Sequence, residues 1–167
     1  PQVIQTHDHG FLAAGSVTPS DGEYDVYLLK LDSMGNTQWQ RSIDAGKTGF
    51  AGSVQETRDR GFVLTGGSGD SDKVTVFRTD SLGDILWTFS AYWGATNYTV
   101  EQTSDGGYIT GGLWSKYDSL YLLKLDSTGN VSWRKSYDEY YGDWMEDIPA
   151  RQTSDGGYII AAEVLLK

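Results

Sequence analysis

The sequence predicts an all-β protein made of one four-stranded unit used about three and a half times, and three observations carry that prediction. The first is self-similarity. The segments VIQTHDHGFLAAG from Val3, VQETRDRGFVLTGG from Val54, VEQTSDGGYITGG from Val100 and ARQTSDGGYIIAA from Ala150 align, and their threonines Thr6, Thr57, Thr103 and Thr153 are spaced 51, 46 and 50 apart. The second is an independent landmark between them: LLKLDSMGNTQW, VFRTDSLGDILW and LLKLDSTGNVSW. Its aspartates Asp32, Asp80 and Asp126 and its tryptophans Trp39, Trp87 and Trp133 are both spaced 48 and 46 apart. Two landmarks that keep one period of about 48 residues define a repeat. The third is local pattern. No window holds apolar residues at helical spacing for two turns, and turn signals interrupt the chain roughly every 8–12 residues.

Each repeat reads as four strands in order. The first is short and ends at the threonine. An Asp-x-Gly turn follows (Asp8-His9-Gly10, Asp59-Arg60-Gly61, Asp105-Gly106-Gly107, Asp155-Gly156-Gly157). Its last glycine is expected there because a tight hairpin needs a positive φ that a Cβ penalises. The second strand is apolar and then small, as in Phe11-Leu12-Ala13-Ala14-Gly15 and Tyr158-Ile159-Ile160-Ala161-Ala162, which predicts burial on both faces and close backbone approach. The third, Asp25 to Asp32 in the first copy, ends in Asp-Ser-x-Gly-Asn/Asp. The fourth carries the tryptophan and runs into a longer, variable connection. Four antiparallel strands in roughly 40–50 residues is the size of one blade of a β-propeller. Leucine-rich repeats are shorter, and a parallel β-helix would not pair glycine turns inside each period. A two-sheet sandwich is the alternative, although it has no need of near-identical copies. The expected organisation is a single repeat domain over 1–167, with blades at 3–53, 54–99 and 100–149 and a half-blade at 150–167, an open or partial ring.

Composition narrows the function. The 21 Gly, 11 Tyr and 6 Trp against 3 Pro and 2 Met suit strands joined by tight turns. The net charge of −10 repels a phosphate backbone and an anionic membrane surface, so neither nucleic acid nor lipid is an expected partner. With no cysteine there is no disulfide, thiolate metal site or cysteine nucleophile. No apolar run reaches the roughly 18 residues of a spanning helix. The opening at Pro1, with neither a basic nor an apolar leader region, reads as a processed form or a piece of a longer chain.

The segment LDSTGNVSW resembles the tryptophan-docking motif of pyrroloquinoline-quinone-type propellers, in which Asp, Gly and Trp recur in every blade; here the turn is one residue shorter. The pair QTSDGGYIIA and LLKLDSTGNVSW is more similar to the repeats of bacterial and archaeal secreted or surface propeller proteins of unassigned function, over essentially the whole chain. This resemblance implies a propeller and an extracellular or cell-surface location. It also implies that Trp39, Trp87 and Trp133 pack between neighbouring blades while Asp32, Asp80 and Asp126 cap the turn before them.

Nothing in the sequence forms a catalytic or metal-binding constellation. His7 and His9 flank Asp8 in a hairpin turn, where two ligands without a third are a weak metal or acid–base signal and an exposed turn is the expected reading. Acidic residues recur between second and third strands (Asp21, Glu23 and Asp25; Asp70 and Asp72; Asp118) and from Asp138 to Asp147. Calcium is the one ion such oxygen-rich loops would suit, and otherwise no cofactor is expected. Two glycosylation sequons stand at Asn97-Tyr98-Thr99 and Asn130-Val131-Ser132. Aromatics gather in the variable connections, with Trp93, Trp114 and Trp144 the ones suited to stacking on sugars or to protein–protein interaction.

Half a blade leaves open strand edges that invite pairing, so the expected partners are further blades of a longer chain or other copies of this one, as a ring or a filament. The sequence therefore points to a non-enzymatic extracellular scaffold, a propeller segment of a surface, adhesive or filament-forming protein. The alternative is a carbohydrate-binding, lectin-like propeller.

Overall fold

The computed structural model describes residues 1–18, 24–44, 50–67, 73–93, 95–114, 119–137 and 148–161. Among them every regular element is a strand, and there is no helix. The first sheet comprises β1 (Gln2–Gln5), β2 (Phe11–Val17), β3 (Asp25–Leu31) and β4 (Thr37–Ile43). The second comprises β5 (Phe50–Glu56), β6 (Phe62–Gly67), β7 (Lys73–Thr79) and β8 (Ile85–Tyr92). In the third are β9 (Ala95–Gln102), β10 (Tyr108–Trp114), β11 (Ser119–Leu125) and β12 (Val131–Tyr137), and β13 (Ala150–Gln152) with β14 (Tyr158–Ile160) makes a two-stranded fourth. Each is an antiparallel meander with its strands in sequence order. The expected all-β fold of four-stranded antiparallel units is what the chain adopts.

The core is serial: one apolar layer lies between each sheet and the next. Leu12, Ala14, Val26 and Leu28 of the first sheet meet Val54, Phe62, Leu64 and Phe77 of the second. Val63, Val74 and Val76, on the other face of that second sheet, meet Val100, Tyr108, Tyr121 and Leu123 of the third. Ile109 and Leu122 then meet Ala150, Tyr158 and Ile160. Burial follows from this stacking. Strands β7 and β11 are buried almost throughout, because a sheet covers each of their faces, whereas β3 alternates between buried and half-buried. The outer strands β4, β8 and β12 are largely exposed, with their tryptophans half-buried. The second strand departs from its expected burial in the first sheet, where β2 alternates because only one of its faces is covered.

The Asp-x-Gly turn also differs from the expectation. The positive φ falls on its middle residue, at 63° for His9, 70° for Arg60, 82° for Gly106 and 85° for Gly156, and not on the glycine that follows. That glycine is there for space. A Cβ on Gly10 would collide with the carbonyl oxygen of Leu31 and lie 2.7 Å from Lys30 Nζ; one on Gly61 or Gly107 would collide with the Thr79 or Leu125 oxygen and with Arg78 or Lys124.

Candidate functional site

Those collisions lead to a feature the sequence reading passed over. In the third strand of each complete sheet a cation sits among apolar residues: Lys30, Arg78 and Lys124, each 5% exposed or less. Each is opposite the tryptophan of the fourth strand, pairing Lys30 with Trp39, Arg78 with Trp87 and Lys124 with Trp133, and a bulge follows at once. Each reaches the aspartate of the Asp-x-Gly turn, at 2.8 Å for Lys30–Asp8, 2.5 Å for Arg78–Asp59 and 2.9 Å for Lys124–Asp105. Lys30 and Lys124 also donate to the carbonyl oxygens of Leu31 and Leu125 at 3.0 Å, and Arg78 donates to that of Thr79. A buried cation needs such saturation, since an unpaired one costs several kcal/mol, about 3–5 for a broken pair. The aspartates are held further. Thr6, Thr57 and Thr103 donate to them, and so do the N–H groups of Gly10 and Gly107.

These bonds lower the carboxyl pKa values. The Lys30 ammonium and the Thr6 hydroxyl hold Asp8 well below the usual range. Thr103 and Lys124 bring Asp105 to about 2. At Asp59 burial pushes upward, but the Thr57 hydroxyl and the Arg78 charge prevail and the net shift is down. The signal in the sequence was the lysine or arginine of LLKLD, VFRTD and LLKLD, a cation that recurs two residues before the capping aspartate.

The tryptophans lie between sheets. Trp39 packs 6.0 Å from Phe62, Trp87 5.4 Å from Tyr108 and Trp133 5.1 Å from Tyr158, each partner belonging to the next sheet. Beneath two of them is the glycine of the next Asp-Ser-x-Gly turn: a Cβ on Gly83 would come within 2.8 Å of Trp39, and one on Gly129 within 2.8 Å of Trp87. The Trp87 indole N–H donates to the Ser127 carbonyl at 3.3 Å. Asp32, Asp80 and Asp126 cap these turns, each accepting two backbone N–H groups through Oδ1. The Asn130 and Thr128 donors bring the exposed Asp126 to about 2, and Asn36 likewise lowers Asp32.

Polar side chains at the ends of β5, β9 and β13 accept from the turn of the preceding sheet. The N–H of His7 donates to Glu56 Oε2 at 2.7 Å, that of Arg58 to Gln102 Oε1 at 3.0 Å and that of Ser104 to Gln152 Oε1 at 2.7 Å. The three acceptors stand at one position of the repeat, just before the threonine. Residues from all four units, among them Gln2, Gln55, Thr99 and Arg151, line one cavity of about 480 Å³.

The remaining sequence candidates are dispersed. Trp93 and Trp114 come together, but around a cation: the Arg134 guanidinium lies 4.5 Å from one ring and 4.7 Å from the other. Both indoles are half-buried against the layer between the second and third sheets. Trp144 lies outside the described residues. The exposed Asn130 donates its amide to Asp126 Oδ2 at 3.2 Å and to Thr128 Oγ1 at 2.9 Å, as Asn36 does to Asp32 in the first copy, so the turn itself accounts for this residue. Asn97 lies in β9 opposite Gly112, and only its backbone is described. Among the described residues no three His, Asp or Glu side chains converge as a metal site. Asp25 accepts from Ser42, while Asp21, Glu23, Asp70, Asp72, Asp118 and 138–147 fall outside the described residues. No protein-family model matches the chain, and no curated protein resembles it in sequence.

Proposed function

We propose that the chain is a β-propeller segment with a non-enzymatic, extracellular scaffolding role, in a surface, adhesive or filament-forming protein. One observation carries this reading: a tryptophan of one sheet seats on the glycine turn and the aromatic of the next, at equivalent positions in successive copies. Sheets joined in that way, with their first strands bordering one cavity, support a reading of them as blades about an axis. The chain's most organised polar groups, three aspartates and three buried cations, are consumed in tying the turn of each sheet to its own third strand, which favours architecture over catalysis. The resemblance of the repeats to those of secreted propellers supports the location.

Carbohydrate binding has less support, because Trp93 and Trp114 already spend a ring face each on Arg134. A glycan array on the parent chain and on Trp93→Ala, Trp114→Ala and Trp144→Ala distinguishes the two. The scaffold reading expects no glycan to bind any of them. A sugar retained by the parent and lost by the variants would replace it with the lectin reading. An experimental structure in which the sheets do not radiate from a common axis would overturn the propeller itself.

A further inference from the structure

We propose that the edge of β14 and the face of the first sheet around Gly35 form one docking surface for a β-hairpin of this same repeat, with a lysine or arginine in its first strand and a tryptophan in its second. The proposal rests on the propeller reading above and names the partner that reading leaves open.

The observations are differences between equivalent positions. Val54, Val100 and Ala150 are at most 5% exposed under a neighbouring sheet, but their counterpart Val3 is 65% exposed. Leu12, Val63 and Ile109 are fully buried, but their counterpart Ile159 is 56% exposed. Gly83 and Gly129 lie against tryptophans, whereas a Cβ on Gly35 would meet nothing within 4 Å. Phe62, Tyr108 and Tyr158 each have an indole beside them; among the described residues Phe11 has none. Asp8, Asp59 and Asp105 each hold a buried cation; Asp155 makes the same bonds to Thr153 and to the Gly157 N–H, with no cation among the described residues. Among the described residues strand β14 pairs with β13 alone.

In the interior of the chain the cation at each turn aspartate comes from a third strand, and the indole against each glycine turn and each aromatic comes from a fourth. Placed on β14 in the register that β11 takes on β10, such a hairpin would bring its cation to Asp155, because Lys124 is the partner of Ile109, the counterpart of Ile159. Its glycine turn would cover Trp133, as the Gly129 turn covers Trp87. Its tryptophan would face Phe11 and Gly35, as Trp39 faces Phe62 and Gly83. The first and fourth units already border one cavity, through Pro1 and Gln2 and through Pro149, Ala150 and Arg151, so one hairpin between them would complete a ring of four. A second copy of this chain is not the occupant, because its three such hairpins are each paired within their own sheets.

The test uses a synthetic peptide of residues 119–137, which carries Lys124, the Asp126–Gly129 turn and Trp133. Titrated into the whole isotope-labelled chain, it should bind one to one and shift the amides of Phe11, Gly35 and β13–β14. The peptide variant Trp133→Ala should bind at least about tenfold more weakly, and the chain variant Asp155→Asn should also weaken binding. Absence of binding at about 1 mM peptide would overturn the proposal. So would affinity indifferent to Trp133→Ala, shifts confined to other surfaces, or self-association of the chain through β14. Amide protection in β6, β7, β10 and β11 of the free chain separates the two readings. If those strands are protected and the peptide fails, the docking surface falls alone; if they exchange freely, the stacked-sheet propeller falls with it.

Discussion

At the residue scale, the two glycines of the Asp105-Gly106-Gly107 turn do different work. Gly106 has a φ of 82° and open space around its Cβ position, and the first two copies place His9 and Arg60 there. Gly106→Ala should therefore cost only about 1 kcal/mol, the strain of a left-handed non-glycine residue. Gly107→Ala should cost about 2–3 kcal/mol, since its Cβ would drive into the Leu125 carbonyl and Lys124. Urea unfolding followed by tryptophan fluorescence measures both. The same assay tests the ion pair. Asp105→Asn leaves Lys124, 2% exposed, facing a neutral amide, and should cost about 3 kcal/mol. Adding Lys124→Met should restore most of that loss, because the buried charge is then gone.

At the scale of the element, the tryptophan of the outer strand makes its most specific contacts with the next sheet. In β8 the residues alternate between exposed and half-buried; Phe89 packs on the layer shared with the third sheet, and Trp87 reaches Tyr108, Gly129 and the Ser127 carbonyl of that sheet. Trp87→Ala should cost about 3 kcal/mol, whereas its neighbour Leu86, 58% exposed, should tolerate alanine within about 0.5 kcal/mol. Thermal unfolding of the two variants side by side decides the point. Equal losses would show that strand content, and not docking between sheets, sets stability. The strands were legible from alternation and turn residues. What the third strand does was not, because an isolated lysine in LLKLD reads as a snorkelling or solvent-facing side chain until the turn aspartate is brought to it from across the hairpin.

For the whole molecule, the repeated aspartates set the response to acid. Asp8, Asp59, Asp105 and Asp126 all have folded-state pKa values below those of an unfolded chain, with Asp105 and Asp126 at about 2. Their contribution is therefore present above about pH 4, the range of unfolded carboxyls. It is lost as pH falls and the unfolded state takes up protons that the folded state excludes. The urea midpoint should decline from about pH 4 to about pH 2, and Asp105→Asn should flatten part of that decline. A midpoint constant over this window would mean that the turn carboxylates are not coupled to folding.

By itself the sequence determined the strands, their order and the period, because alternation, turn residues and self-similarity are local and repeat every 46–51 residues. It also marked the tryptophans and the capping aspartates through their spacing. Only the tertiary structure decided which residue each of them meets. Trp39 with Gly83, Arg78 with the Tyr108 hydroxyl and Trp93 with Arg134 are contacts between units, made at distances along the chain that no local pattern encodes. The glycine after each turn aspartate makes the same point: its presence was plain, but its reason, a carbonyl and a cation pressed against the space a Cβ would fill, exists only once the third strand has folded onto the turn.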